Sequence, residues 1–256
     1  MIEPSKTTGT TVIRTSMITK HYGSIIAVDH LDFSINEGEI YGLIGPNGAG
    51  KTTLIKMLVG ILKPDSGTAE VLDKPPFDRG IKYKTGYMPQ EIAIYDDLTV
   101  RENLRFFGEV YGLSKNGIEA RIQEIIDLVD LNLKADTVVM DLSGGMRHRL
   151  SLGCSIIHDP QILFLDEPTV GVDPELRVSF WSYFKTLAKI GKTILISTHY
   201  LDEAMNCTRV GMMHHGKIIA DGVPHALMKA ANCVSLEEAF LYYSRTAKQM
   251  EKEAGK

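Results

Sequence analysis

Residues 40–58 read "IYGLIGPNGAGKTTLIKML", and that stretch leaves the chain few folds to choose from. Ile40 to Ile44 is apolar on both faces, as a strand buried on both sides of a sheet must be. "TTLIKMLVGIL" carries apolar residues at three- and four-residue spacing, which predicts a helix closed by Pro64. Between them Gly45–Thr52 reads "GPNGAGKT" and satisfies G-x-x-x-x-G-K-[ST] at every fixed position. A buried strand turning through glycines into a helix points backbone N–H groups, and the positive end of the helix dipole, at whatever sits in the turn. The pattern predicts a phosphate grip on an α/β core. The glycines let the backbone wrap a β-phosphate, Lys51 reaches the β- and γ-phosphates, and the Thr52 hydroxyl is a ligand for Mg²⁺.

A second strand supplies what such a grip lacks. In "ILFLDEP" four apolar residues carry Asp166 and Glu167 to a strand end, the edge at which open α/β sheets bind ligands. Asp166 is expected to hold Mg²⁺ through water, and Glu167 to polarise the water that attacks a γ-phosphate. Two acids before a proline are commonplace alone; downstream of a complete phosphate loop they read as a site. "KTILIST" is a third doubly buried strand, and His199 follows it.

Around these runs the pattern changes twice. "TVIRTSMITKHYG" and "LDFSINEGEIYGLIG" mix β-branched and polar residues about the turns "YGS" and "NEG", which predicts antiparallel strands. From Asp97 to about Leu133, "LTVRENLRFFGEVYGL" and "EARIQEIIDLVDLN" read as amphipathic helices, a helical insertion into the α/β core. "RVGMMHHGKIIADG" reads as a hairpin around His215-Gly216, and the adjacent His214 and His215 want further ligands for a metal site. "SLEEAFLYYSRTA" predicts a helix ahead of a charged end that is solvated or frayed; from Leu236 to Ser244 it is either regulatory or plain packing, and its apolar spacing favours a helix docked on the core.

Bulk properties narrow the partners. A net charge of −4 gives no electrostatic reason to expect nucleic acid. Cys154, Cys207 and Cys233 are odd in number and outside any Cys-x-x-Cys motif, which fits a reducing compartment and argues against a metal site. No run approaches the roughly 18 to 20 apolar residues a bilayer demands. The polar "MIEPSKTTGTTVIRT" lacks a signal core, so a soluble, cytosolic protein is expected, with any membrane role exercised through a partner.

"DLSGGMRHRL", Asp141–Leu150, poses a separate problem, because Ser143-Gly144-Gly145 before a helical run is a second small anion grip. The phosphate loop, this "LSGG" and "LDEP" together resemble the nucleotide-binding subunit of ATP-binding-cassette (ABC) transporters over roughly residues 10–225. The resemblance implies an α/β P-loop NTPase (RecA-like) core with an antiparallel β subdomain and an inserted helical subdomain. On that template residues 1–90 and 154–225 form the core with its antiparallel subdomain. Residues 91–153 form the helical subdomain with the signature, and residues 226–256 a C-terminal helical tail.

The resemblance also assigns roles. ATP is held by Gly45, Pro46, Asn47, Gly48, Ala49, Gly50, Lys51, Thr52 and Thr53, with Tyr22 stacked on adenine. Gln90, in "YMPQE", approaches Mg²⁺ and the attacking water, so Thr52, Gln90 and Asp166 serve the metal. His199, in "ISTHY", contacts the γ-phosphate and joins Glu167 and Gln90 as catalytic. Two subunits pack head to tail, so that Ser143, Gly144 and Gly145 grip ATP bound to the opposite subunit, while Asp173 communicates between the sites. The two grips are then halves of a site that only a dimer completes.

Two positions depart from the family. Met146 stands where glutamine is usual, and Val170 where many members carry serine. "SGGM" followed by basic residues looks like the branch that exports drugs, antibiotics and polysaccharides. The expectation is an ATPase subunit, at the cytoplasmic face of the membrane, serving a separately encoded transmembrane permease and a second ATP-binding subunit in a homodimer or heterodimer. The alternatives are a soluble ABC ATPase acting on ribosomes or DNA, and a regulatory module that binds ATP without turnover.

Overall fold

The computed structural model describes residues 9–254; residues 1–8, which include most of the polar N-terminal stretch, and residues 255–256 lie outside it. The chain opens with β1 (Thr11–Tyr22), β2 (Ile25–Asn36), β3 (Ile40–Ile44), α1 (Lys51–Leu58), β4 (Ser66–Val71), α2 (Arg79–Lys82) and β5 (Thr85–Met88). Three longer helices follow, α3 (Val100–Val110), α4 (Lys115–Leu128) and α5 (Gly144–Ile156). Then come β6 (Ile162–Asp166), α6 (Pro174–Lys189), β7 (Thr193–Thr198), α7 (Leu201–Ala204), β8 (Arg209–His214), β9 (Lys217–Gly222), α8 (Pro224–Ala230) and α9 (Leu236–Ala254).

Nine strands make two sheets among the described residues. β2, β1 and β4 form an antiparallel sheet, as the alternating N-terminal pattern predicts. The other runs β5-β6-β7-β3-β8-β9, parallel except for the β8–β9 hairpin. Every residue of β3, β6 and β7 is buried, which is why their sequences are unbroken apolar runs. Side chains alternate between faces. Ile40, Ile44, Leu163, Leu165, Ile194 and Ile196 enter one core with helices α3 to α6. Tyr41, Leu43, Ile162, Phe164 and Leu195 enter the other, with α1 and the antiparallel sheet.

The helical layer has clear local causes. Thr99 and Glu102 form a capping box at the start of α3, each satisfying the other's backbone N–H. Leu104 of α3, Ile122, Ile125, Ile126 and Val129 of and beside α4, and Leu150 of α5 share the first core. Asp173 caps α6, accepting from the Leu176 N–H at 3.0 Å, and Pro174 takes the first helical position.

Two helix ends differ from the sequence expectation. α1 stops at Leu58 rather than running to Pro64, because Gly60 at φ +72° reverses the chain and lets Ile61 and Leu62 donate back to Lys56 O. α9 runs on to Ala254 rather than ending near Ala247, while Lys248, Gln249 and Met250 are exposed, as a solvated end requires. Its Leu236, Ala239 and Tyr243 are buried, in keeping with a docked helix. No helix among the described residues is long and apolar enough to cross a membrane.

Candidate active site

Parallel pairing carries the chemistry to one edge. Asp166 at the end of β6 pairs with Ser197 of β7, and Ile44 at the end of β3 pairs with Thr198. Gln90 lies two residues beyond β5, whose Met88 pairs with Leu165. The phosphate loop, Asp166–Glu167, His199 and Gln90 all emerge at the carboxyl ends of neighbouring parallel strands, where such sheets bind ligands.

The loop Gly45–Thr52 is held from outside as well as by its own glycines. Gly50 sits at φ +108°, and a Cβ there would lie 2.1 Å from Ala27 O. The hairpin turn at His215-Gly216, with both residues at positive φ, reaches back so that the Gly216 N–H donates to Ala49 O at 2.9 Å. Lys51 is buried, and its ammonium donates to Gly45 O at 2.7 Å and Pro46 O at 3.1 Å. Burial lowers its pKa, and the charges of Glu167 and Asp166 act against that. Ala49 is also buried, Thr52 and Thr53 are half-buried, and Pro46, Asn47 and Gly48 face solvent.

Asp166 is wholly buried. Its Oδ1 accepts from the Ser197 hydroxyl, while Oδ2 has no hydrogen-bond partner among the described residues. Burial raises the carboxyl above the ordinary range, with the Ser197 hydrogen bond and the nearby Thr52 hydroxyl opposing. A buried carboxylate oxygen without a donor, beside the Thr52 hydroxyl, is the kind of hard oxygen set that Mg²⁺ takes, completed by water and substrate phosphates. Thr52 and Asp166 fit that ion; Gln90 is exposed at the same edge.

Glu167 departs from ordinary backbone geometry, with φ +57° in a non-glycine residue. Its N–H is shared between Ser197 O and Ser197 Oγ, both at 3.1 Å, which holds the reversal in place. The carboxylate meets His199, with Oε1 and Nδ1 3.2 Å apart. Ser197 thus braces both acids. No motif in the sequence singles it out; its one signal is its place two residues before His199.

Tyr22 ends β1, half exposed. The signature stands apart: Ser143 caps α5, accepting from the Met146 N–H at 3.3 Å, and no hydrogen bond among the described residues joins it to the phosphate loop. Gly145 does meet another loop, since a Cβ there would lie 2.8 Å from Gly171 O. Asp173, three residues from Val170, is exposed apart from its capping bond.

The family model described as ABC transporter matches residues 28–170, from β2 through both glycine turns and past Glu167. The chain belongs to the ABC transporter family. It is 42% identical over 242 residues to the probable multidrug ABC transporter ATP-binding protein YbhF of Escherichia coli (strain K12), covering 92% of this chain and 42% of that one. It is 42% identical over 227 residues to the Nod factor export ATP-binding protein I of Sinorhizobium fredii, covering 88% and 66%. The chain thus spans less than half of the first relative's length and just under two thirds of the second's. Among solved structures, an ATP-binding subunit of an ABC transporter superposes with a TM-score of 0.84 at 26% identity, over 91% of this chain and 99% of that one. The ADP conformation of an ATP-binding cassette of an ABC transporter gives 0.71 at 27% identity, over 90% and 98%.

Family membership sets the two departures in context. Met146 packs its side chain against the core and offers its backbone N–H to Ser143, so the glutamine's absence leaves the cap intact. Val170 lies in the turn closed by its own N–H to Glu167 O at 3.3 Å.

Proposed function

We propose that this chain binds and hydrolyses ATP as the energy-supplying subunit of an ABC exporter, acting on a separately encoded transmembrane permease. The observation that carries the reading is the Glu167–His199 pair at 3.2 Å, beside a buried Asp166 oxygen that has no donor. The N–H groups of residues 45–53 and the Lys51 ammonium would cradle the phosphates, and Tyr22 would support the base. Glu167 would orient and deprotonate the attacking water, His199 would donate to the γ-phosphate, and Gln90 would order the water from the neighbouring loop. Mg²⁺, held by Thr52 and Asp166 with Gln90 close by, would neutralise phosphate charge as the bond to the leaving ADP breaks.

The division of the chain follows the same reading. Residues 1–90 and 154–225 serve as the ATP-binding core and 91–153 as the helical unit that presents the signature. The tail at 226–256 would act through the packing of its helices α8 and α9. Ser143, Gly144 and Gly145 would close over ATP on a second cassette, with Asp173 relaying between the sites. The γ-phosphate would bridge the pair until hydrolysis released it, so that chemistry becomes motion. The relatives named for multidrug transport and Nod factor export support export as the direction.

Phosphate release by the purified chain with ATP and Mg²⁺ tests the reading. Glu167→Gln is expected to slow it about 10²- to 10⁴-fold while ATP binding persists. Sedimentation of that variant is expected to show dimers with ATP and monomers without it. ATP binding with no turnover by the unaltered chain would favour the regulatory alternative. Affinity capture from membranes should bring down a polytopic membrane protein; recovery only with ribosomes or DNA would overturn transport.

A further inference from the structure

The loop that carries His199 and the loop that follows Glu167 are joined a second time, behind their catalytic contact. Glu203, in the short helix α7, is buried. Its Oε2 accepts from the Thr169 hydroxyl at 2.6 Å, two residues past Glu167. Its Oε1 lies 3.2 Å from Arg177 Nη1, an ion pair held by charge without an aligned hydrogen bond. Arg177 also donates through Nη2 to Val172 O at 3.3 Å and lies 5.7 Å from the Tyr200 ring centroid. The Tyr200 ring in turn sits 4.1 Å from that of His199, which meets Glu167. The chain of contacts closes on itself: Glu167, His199, Tyr200, Arg177, Glu203, Thr169, and back along the backbone to Glu167.

We infer that Glu203 and Arg177 are positioning residues for hydrolysis, holding the His199 loop against Glu167 and fastening both to the loop that leads to Asp173. This inference rests on the ATPase reading above. A carboxylate needed only to start α7 could remain in solvent, at no desolvation cost. Glu203 instead is taken out of water and paired with groups from two other segments. Arg177 stands in the first turn of α6 and donates its N–H to Asp173 O at 3.0 Å. A displacement of the Asp173 loop therefore pulls on Arg177, and through Glu203 and Tyr200 on His199. Near the reacting atoms a misplacement of about 1 Å is enough to slow chemistry about a hundredfold.

The test compares the full chain with Glu203→Gln and Arg177→Gln. Glu203→Gln keeps the shape and the Thr169 contact but removes the charge, and Arg177 is partly exposed, so its replacement is the milder challenge to folding. The expected result is a kcat lowered about tenfold to a hundredfold with KM for ATP within about twofold. A second readout needs no turnover. In proton NMR of the histidine rings, the His199 signal, identified by its loss in His199→Ala, is expected to move in both variants. The signal of His225, on α8, is the control and should stay put. Unchanged kcat in both variants, or a lowered kcat with an unmoved His199 signal, would overturn the inference. Absence of hydrolysis by the unaltered chain would instead defeat the ATPase reading, and the ring signals would still report whether the network holds His199.

Discussion

Two helices in this molecule begin with glycines, and their beginnings are built in opposite ways. α1 grows out of the fully buried β3 at the middle of the parallel sheet. Its loop is pressed from outside by Ala27 O, Met213 O and the Gly216 N–H. Lys51, Asp166, Glu167 and Ser197 are buried around it. α5 follows a single turn of 3₁₀ helix, and its Ser143 and Gly144 are exposed. A Cβ at Gly144 would meet nothing within 4 Å among the described residues. One grip is finished by its own chain; the other is open at Ser143 and Gly144, with Gly145 alone close to a carbonyl of its own chain, that of Gly171. An open donor face gains its full worth only when another surface excludes water from it.

The sharpest way to break that comparison is to mix defects. Lys51→Ala and Ser143→Arg are each expected to lower hydrolysis on the order of 10²-fold. Mixed in equal amounts, they should recover about a quarter of the unaltered rate, since half of randomly paired dimers are mixed and each holds one intact site. Phosphate release across a mixing series checks this. No recovery would mean that both grips serve the same chain's nucleotide.

Next in size is the effect of filling each glycine. Gly50→Ala places a methyl 2.1 Å from Ala27 O in a backbone region closed to alanine, and should cost about 1–3 kcal/mol. Gly144→Ala should shift stability by less than about 0.5 kcal/mol. Urea denaturation measures both. Equal losses would mean that the start of α5 is packed within its own chain.

How far this contrast could be read in advance depends on the distance over which each cause acts. β3, β6 and β7 were legible because burial on both faces leaves only apolar residues, and the phosphate loop because its spacing is local. β4 and β5 escaped notice: Ser66–Val71 is mostly exposed, and Thr85–Met88 is four mixed residues. α6 does carry a local signal outside the motifs: Asp173 and Pro174 announce it, and Leu176, Phe180, Trp181, Phe184 and Leu187 keep helical spacing. Bracing of Asp166 by Ser197 and of Thr169 by Glu203 spans 31 and 34 residues. Those pairs follow from strand order, which no local pattern contains.

A smaller effect separates stability from function within the finished site. The folded Asp166 pKa is raised above its unfolded value near 3.8, so its favourable contribution is present below that value and lost as pH rises through the folded one. At pH 7 the buried charge therefore costs stability. Without metal, Asp166→Asn is expected to raise the melting temperature by up to a few degrees while hydrolysis is lost. Thermal unfolding in EDTA checks the sign. A lower melting temperature would mean that the carboxylate stabilises its surroundings.

The smallest expected effect tests whether the two helix starts are stabilised independently. His148 on α5 and His158 just beyond it are buried or half-buried, and each Nδ1 lacks a partner among the described residues. Burial lowers both pKa values, against the charge of Glu167 at His148 and chiefly against the bond to Thr85 O at His158. The unfolded chain then binds more protons than the folded one below about pH 6.5, so stability is present above that value and lost as pH falls through the folded pKa values. α1 contains no histidine. Hydrogen exchange, corrected for intrinsic rates, should show α5 losing protection before α1 between about pH 7 and pH 5. His148→Gln should remove part of the difference. If α1 and α5 loosen together, the finished grip and the open one belong to a single cooperative unit, and their contrast is one of exposure alone.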